Sequence, residues 1–258
     1  MMSQPEVPSV RRRPLMAVFS FLMAVALFGL AIAALGIAHQ LLPRQFTPAQ
    51  QGKITTWEQL RRWRALPAGQ IFPAKVSYAL SARTVEANQG LNLTATRLGI
   101  SSSTGCAASL PATTAQVIDK LGCAAVLRAT YVDSTGSLVA TVAVAVLPDS
   151  GKAQSVANQL GAESLGAKLA LVEPLRVTGT AAATFGDEQR QQSAVTSAGP
   201  YVIMTVAGYA DGRPHVRHSG HPYTDLEMGS LDSGLARSAQ HILNPSLPTP
   251  NCPGAPGC

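Results

Sequence analysis

Charge is scarce in this chain: 13% of its 258 residues are Asp, Glu, Lys or Arg, where an ordinary soluble domain carries about 25%. Aromatic residues make up only 5%, and lysine supplies five of the 20 basic side chains. There is no C-x-x-C pair, no G-x-S-x-G elbow, no glycine-rich phosphate loop and no internal repeat. Those absences remove sequence support for a zinc ribbon, a serine hydrolase and a nucleotide-binding enzyme. Carboxylates are few and scattered, so no pair stands out for glycoside hydrolysis. The formal net charge of +6 owes three charges to Arg11, Arg12 and Arg13, and the chain from His39 onward holds 17 basic against 13 acidic residues. A nucleic-acid binder concentrates its cations in a stripe, and no such stripe is present. The expectation is a protein without catalytic activity, cofactor or nucleic-acid partner.

What the chain does have is a long apolar run. Leu15 to Ala38 is 24 residues without a charge, and at about 1.5 Å per residue such a helix crosses a hydrocarbon core of roughly 30 Å. The arginine triplet stands directly before it, and only Arg44 and Lys53 follow closely. The positive-inside rule then puts residues 1–14 in the cytoplasm and the rest outside. The competing reading is a signal peptide cleaved after Gly36-Ile37-Ala38, which would give a secreted protein. A signal core of about 7–15 apolar residues is shorter than this run, so length favours an anchor.

Residues 39–54 read as a stalk with Pro43 and Pro48, and residues 55–243 as an extracytoplasmic domain. A short helix is expected from the capping-box spacing of Thr55 and Glu58. Ile71–Leu80 reads as a strand, at an edge because of Pro73, and Leu93–Leu98 as another. Thr113–Leu121 reads as a helix closed by a left-handed Gly122. Ala125–Val132 and Leu138–Leu147 are β-branched runs around Asp133-Ser134-Thr135-Gly136, the firmest hairpin signal in the chain. A helix over Lys152–Leu160 and a strand over Leu169–Val177 are expected next. A second hairpin joins Gln191–Thr196 to Tyr201–Gly208, and a last helix covers Leu226–Leu243. The order predicts an α+β fold, a mostly antiparallel sheet with helices on one face and a ferredoxin-like central part. Residues 244–258, with five prolines and two glycines, read as an extended tail.

Four cysteines lie beyond the anchor, which suits an oxidising compartment and disulfides. Of the three connectivities that four cysteines allow, spacing favours Cys106–Cys123 with Cys252–Cys258. Two clusters could carry chemistry. His215, His218 and His221 form H-x-x-H-x-x-H, a set of zinc or copper donors. The prolines and glycine around them favour a solvated loop. Trp57 and Trp63 alternate with Arg61, Arg62 and Arg64, a pattern for lying on lipid headgroups or a membrane partner. The other reading packs the tryptophans on the sheet and leaves the arginines in water.

Arg11-Arg12-Arg13 before the anchor, WEQLRRWRALPAG at Trp57–Gly69, the Cys106–Cys123 interval before ATYVDSTG, and the GYADGRP hairpin end at Gly208–Pro214 carry a resemblance. In layout the chain resembles uncharacterised single-pass membrane proteins of high-GC Gram-positive (actinobacterial) bacteria. Its 15 arginines against five lysines fit a GC-rich genome. The resemblance implies a small extracytoplasmic α+β domain used in sensing or envelope assembly, and transfers no functional residue. The expected function is a membrane-anchored binding or scaffolding protein of the bacterial envelope, held by residues 15–38. The alternatives are a metal-dependent sensor or enzyme using the His215–His221 loop, and an accessory subunit of a membrane complex.

Overall fold

The computed structural model describes residues 13–41, 47–80, 91–164, 170–215 and 222–245. The chain divides into two compact units, Met1–Pro48 and Ala49–Cys258. The first is built on helix α1 (Arg13–Leu41). From Val18 to Leu35 every side chain of α1 is exposed, and this stretch is long and apolar enough to cross a membrane.

The second unit begins at Ala49, one residue into α2 (Pro48–Ala65). The helix therefore starts inside the expected stalk and not at the Thr55 capping box. Proline suits a first helical position because its missing N–H has no intrahelical partner there. A short α3 (Ala68–Ile71) leads into β1 (Lys75–Ala79), so the expected strand over Ile71–Leu80 is a helical turn at its start. Then follow β2 (Asn92–Ile100), α4 (Cys106–Ser109), α5 (Ala112–Lys120), β3 (Ala125–Asp133), β4 (Leu138–Val146) and α6 (Ser150–Ser164). A hairpin of β5 (Arg190–Ala198) and β6 (Tyr201–Tyr209) precedes α7 (Pro222–Leu243). Gly122 closes α5 at φ +91°, as its sequence predicts.

All pairings are antiparallel in one sheet of order β1-β2-β3-β4-β6-β5. The sheet curls, because α7 touches both edge strands, β1 and β5, as well as β4 and β6. The expected helices on one face are instead on both. On the concave face Met228, Leu231, Leu235, Ala239 and Leu243 of α7 pack on Tyr131, Val142, Val144 and Ile203. On the other face Ile118 of α5 and Val156 and Leu160 of α6 pack on Val126, Val139, Val202 and Val206. The physical reason is visible in β4: every residue of LVATVAVAV is buried, so neither face can be left to water. Each large aliphatic side chain so buried contributes roughly 1.5–3 kcal/mol.

The strand expected over Leu169–Val177 is absent from its described part, residues 170–177. This segment crosses the convex face as a strap. Thr114 of α5 donates to the Ala170 carbonyl at 2.8 Å, and the Glu173 amide donates to Ser109 at 3.2 Å. Arg128 Nη1 donates to the Glu173 carbonyl at 2.8 Å, and the Thr130 hydroxyl to the Leu175 carbonyl at 2.7 Å. The Leu175 amide donates to Thr141 at 3.0 Å. Side chains thus take the backbone bonds that a ladder would have used. Without that strand the ferredoxin-like arrangement is not formed, and the next strand after α6 is β5, paired antiparallel at the opposite edge from β1.

Candidate functional site

β1 is an edge strand of five residues with alternating exposure: Val76 and Tyr78 are buried, and Lys75, Ser77 and Ala79 are exposed. Two bonds set the phase of its ladder, Leu80 N to Leu91 O at 3.0 Å and Arg97 N to Ala74 O at 2.9 Å. In an antiparallel pair such bonds alternate along the strand. Ala74, Val76, Tyr78 and Leu80 therefore face β2 with their main-chain groups, and Lys75, Ser77 and Ala79 aim theirs at the free edge. A groove of about 490 Å³ lies between β1 and α7. Lys75, Ser77, Asn92, Arg237 and Ser238 line it, and among the described residues no carboxylate does. Among the described residues Arg237 bonds within its own helix, to the Ser233 carbonyl. The groove thus offers unpaired strand backbone beside two cations, which suits an extended segment carrying acidic groups.

Behind this groove the concave core contains polar groups that no sequence pattern marked. Asp232 of α7 is 1% exposed, and neither carboxylate oxygen has a hydrogen-bond partner among the described residues. Burial pushes its carboxyl up to about 8, while the neighbouring Thr205 hydroxyl of β6 acts in the opposite direction. The Tyr78 hydroxyl is likewise buried without a partner, and its pKa is raised first by burial, then by Asp133 and Glu227. Burial and then Asp133 also raise Glu227. Asp133 itself is committed to the hairpin turn, accepting from the Thr135 and Leu138 amides at 2.8 Å each. The signal that could have found Asp232 is its register: it follows Leu231 and precedes Leu235, inside the buried stripe of α7.

Of the histidine loop, His215 is described and His218 and His221 lie outside the described residues. The His215 amide donates to the Glu188 carbonyl at 2.8 Å, and Nδ1 stands 3.1 Å from the Arg190 carbonyl. A carbonyl can only accept, so Nδ1 carries the proton in this contact and Nε2 holds the free lone pair of the neutral ring. Nearby, Glu173, Arg176, Asp187 and Glu188 line an open cleft of about 590 Å³. The GYADGRP segment is a turn, as its sequence suggests. Gly212 has φ +76°, Arg213 pairs with Asp211, and this pairing holds the Asp211 carboxyl below its ordinary range.

Cys106 and Cys123 form a disulfide. Asp119 lies beside them, but the bond occupies both sulfurs, so the three do not make a ligand set. Cys252 and Cys258 lie outside the described residues. On α2 the structure separates the five residues that the sequence grouped. Trp63 packs against the concave core, and Arg62 Nε donates to the Ile242 carbonyl at 2.5 Å, at the C-terminus of α7. Arg61 lies over the Trp57 ring, 4.4 Å from its centroid, and Arg64 over Trp63 at 4.6 Å. Arg61 and Arg64 are exposed.

Comparison of the chain with protein-family models, with curated proteins and with solved structures finds no match.

Proposed function

We propose that this is a membrane-anchored binding or scaffolding protein of the bacterial envelope whose outer domain takes an extended acidic segment as an added strand on β1. The groove carries this reading: outward main-chain groups of Lys75, Ser77 and Ala79 lie beside Lys75 and Arg237, with no carboxylate among the described lining residues. The arginine triplet before α1 and the Cys106–Cys123 disulfide support residues 1–14 in the cytoplasm and the domain outside. No catalytic step is assigned to it.

The test is calorimetry on the full chain in lipid nanodiscs, using a synthetic peptide of alternating valine and glutamate and its lysine counterpart. The glutamate peptide should bind at least about tenfold tighter, a difference of about 1.4 kcal/mol. Ser77→Pro should abolish binding while leaving the fold intact, because the amide it removes faces away from β2. Equal affinity for the two peptides, or unchanged binding by Ser77→Pro, would overturn the reading.

One observation favours the metal-dependent alternative. His215 presents Nδ1 to a backbone carbonyl, the arrangement that orients many metal-binding imidazoles. Titration with zinc and copper separates the two readings. A stoichiometric site that His218→Ala destroys would establish the alternative, and our reading expects none.

A further inference from the structure

We infer that α2 rests on the anionic headgroups of the bilayer that holds α1, through a stripe of Lys53, Trp57, Arg61 and Arg64. This rests on the reading that α1 is retained as an anchor. At 3.6 residues per turn the spacings of four, four and three keep these side chains within an arc of about 80°. The opposite side of α2 is already occupied. Gln59 bonds the Asn244 side chain and accepts from the Tyr201 hydroxyl, Arg62 holds the end of α7, and Trp63 is packed on the core, while Ile54, 1% exposed, bounds the stripe beside Arg61. The stripe contains three cations and no acidic residue, since Glu58 falls off its arc. None of the three cations pairs with a carboxylate among the described residues, where the ion pairs are Arg190–Asp187 and Arg213–Asp211. Arg61 instead covers the ring of Trp57, joining a cation to an amphipathic ring of the kind that settles at headgroup depth.

The connection to the anchor selects the occupant. Residues 42–47 alone separate Leu41 of α1 from Pro48 of α2, and a connection of that length spans about 25 Å at most. A lipid surface is therefore within reach of this helix at all times, at a local concentration that no diffusing partner matches. Charge complementarity specifies anionic lipid, to which basic residues near the surface are attracted over a Debye length.

The chain's two tryptophans both lie on α2, so its fluorescence reports this helix alone. Full-length protein is placed in nanodiscs of zwitterionic lipid, with or without phosphatidylglycerol, each containing brominated lipid as a quencher. In Trp63→Phe, the remaining Trp57 emission should shift to the blue and be quenched in anionic nanodiscs. Arg61→Gln with Arg64→Gln, or high salt, should reverse both effects. Should Trp63→Phe disturb the fold, the wild type against Trp57→Phe gives the same answer, with quenching lost in the variant. Emission that ignores headgroup charge in a full-length, membrane-embedded chain would overturn this inference and leave the anchor standing. A shortened chain in the soluble fraction, identified by mass, would overturn both.

Discussion

Gly234 of α7 passes directly over Tyr78 of β1: a Cβ at position 234 would stand 2.3 Å from the tyrosine Cβ and 3.6 Å from its Cα. A helix can approach an edge strand this closely only where it carries no side chain, and this contact is where α7 meets the first edge of the curled sheet. Gly234→Ala should therefore destabilise the domain by about 1–3 kcal/mol through overpacking, although alanine alone would favour the helix by about 1 kcal/mol. Urea unfolding measures it. A variant as stable as the wild type would contradict the close approach of α7 to β1.

Asp232 predicts an unusual pH dependence. Its carboxyl is pushed up to about 8 in the folded protein, against about 3.9 in an unfolded chain. Between those values the folded state binds more protons than the unfolded state, so stability falls as pH rises from about 4 to about 8. Asp232→Asn should flatten that slope and raise stability at pH 8 by on the order of a few kcal/mol relative to wild type. Thermal melts across this range decide it, and parallel curves for the two proteins would contradict the buried acid.

Asp133 closes the β3–β4 turn by accepting the amides of Thr135 and Leu138. Asp133→Ala leaves the buried Leu138 amide without its acceptor, at a cost of about 1–3 kcal/mol. Asp133→Asn keeps one acceptor oxygen and should lose less. Comparing the two by chemical denaturation separates the turn bonds from a general effect of removing charge.

The Cys106–Cys123 bond joins residues 17 apart in sequence, and closing a loop of that size is worth about 3 kcal/mol in the chain-entropy model. Reduction, or replacement of both cysteines by serine, should lower the unfolding free energy by that amount without moving α5 off the convex face. Denaturation with and without reductant checks the first part. Hydrogen exchange at Thr114 to Ile118 checks the second.

Local patterning made much of the fold legible. The β-branched runs on either side of Asp133-Ser134-Thr135-Gly136, the Gly122 cap and the apolar spacing of Leu231, Leu235 and Ala239 each name a structure through neighbours only a few residues away. The Leu169–Val177 segment failed for the opposite reason. Leu171 and Val172 are buried, but Thr114, Arg128, Thr130 and Thr141 capture the segment's backbone, and nothing near it in sequence announces that. The candidate site was less legible than the fold. The tryptophan–arginine cluster was visible as a group, yet its division into docked Arg62 and Trp63 and exposed Arg61 and Arg64 depends on where Ile242 and the concave core lie. Lys75, Ser77 and Arg237 carry no motif at all.

By itself the sequence determined that the chain has one apolar helix of spanning length behind three arginines, because length and charge are one-dimensional properties. It also determined that an α+β domain with hairpins follows, since periodicity and turn residues act locally. Only the tertiary structure decided that the sheet curls around α7, that helices cover both faces, and that β1 is left open beside Lys75 and Arg237. Those outcomes arise from contacts between residues far apart in sequence, such as Tyr78 with Gly234 and Thr205 with Asp232, whose packing and burial no local pattern encodes.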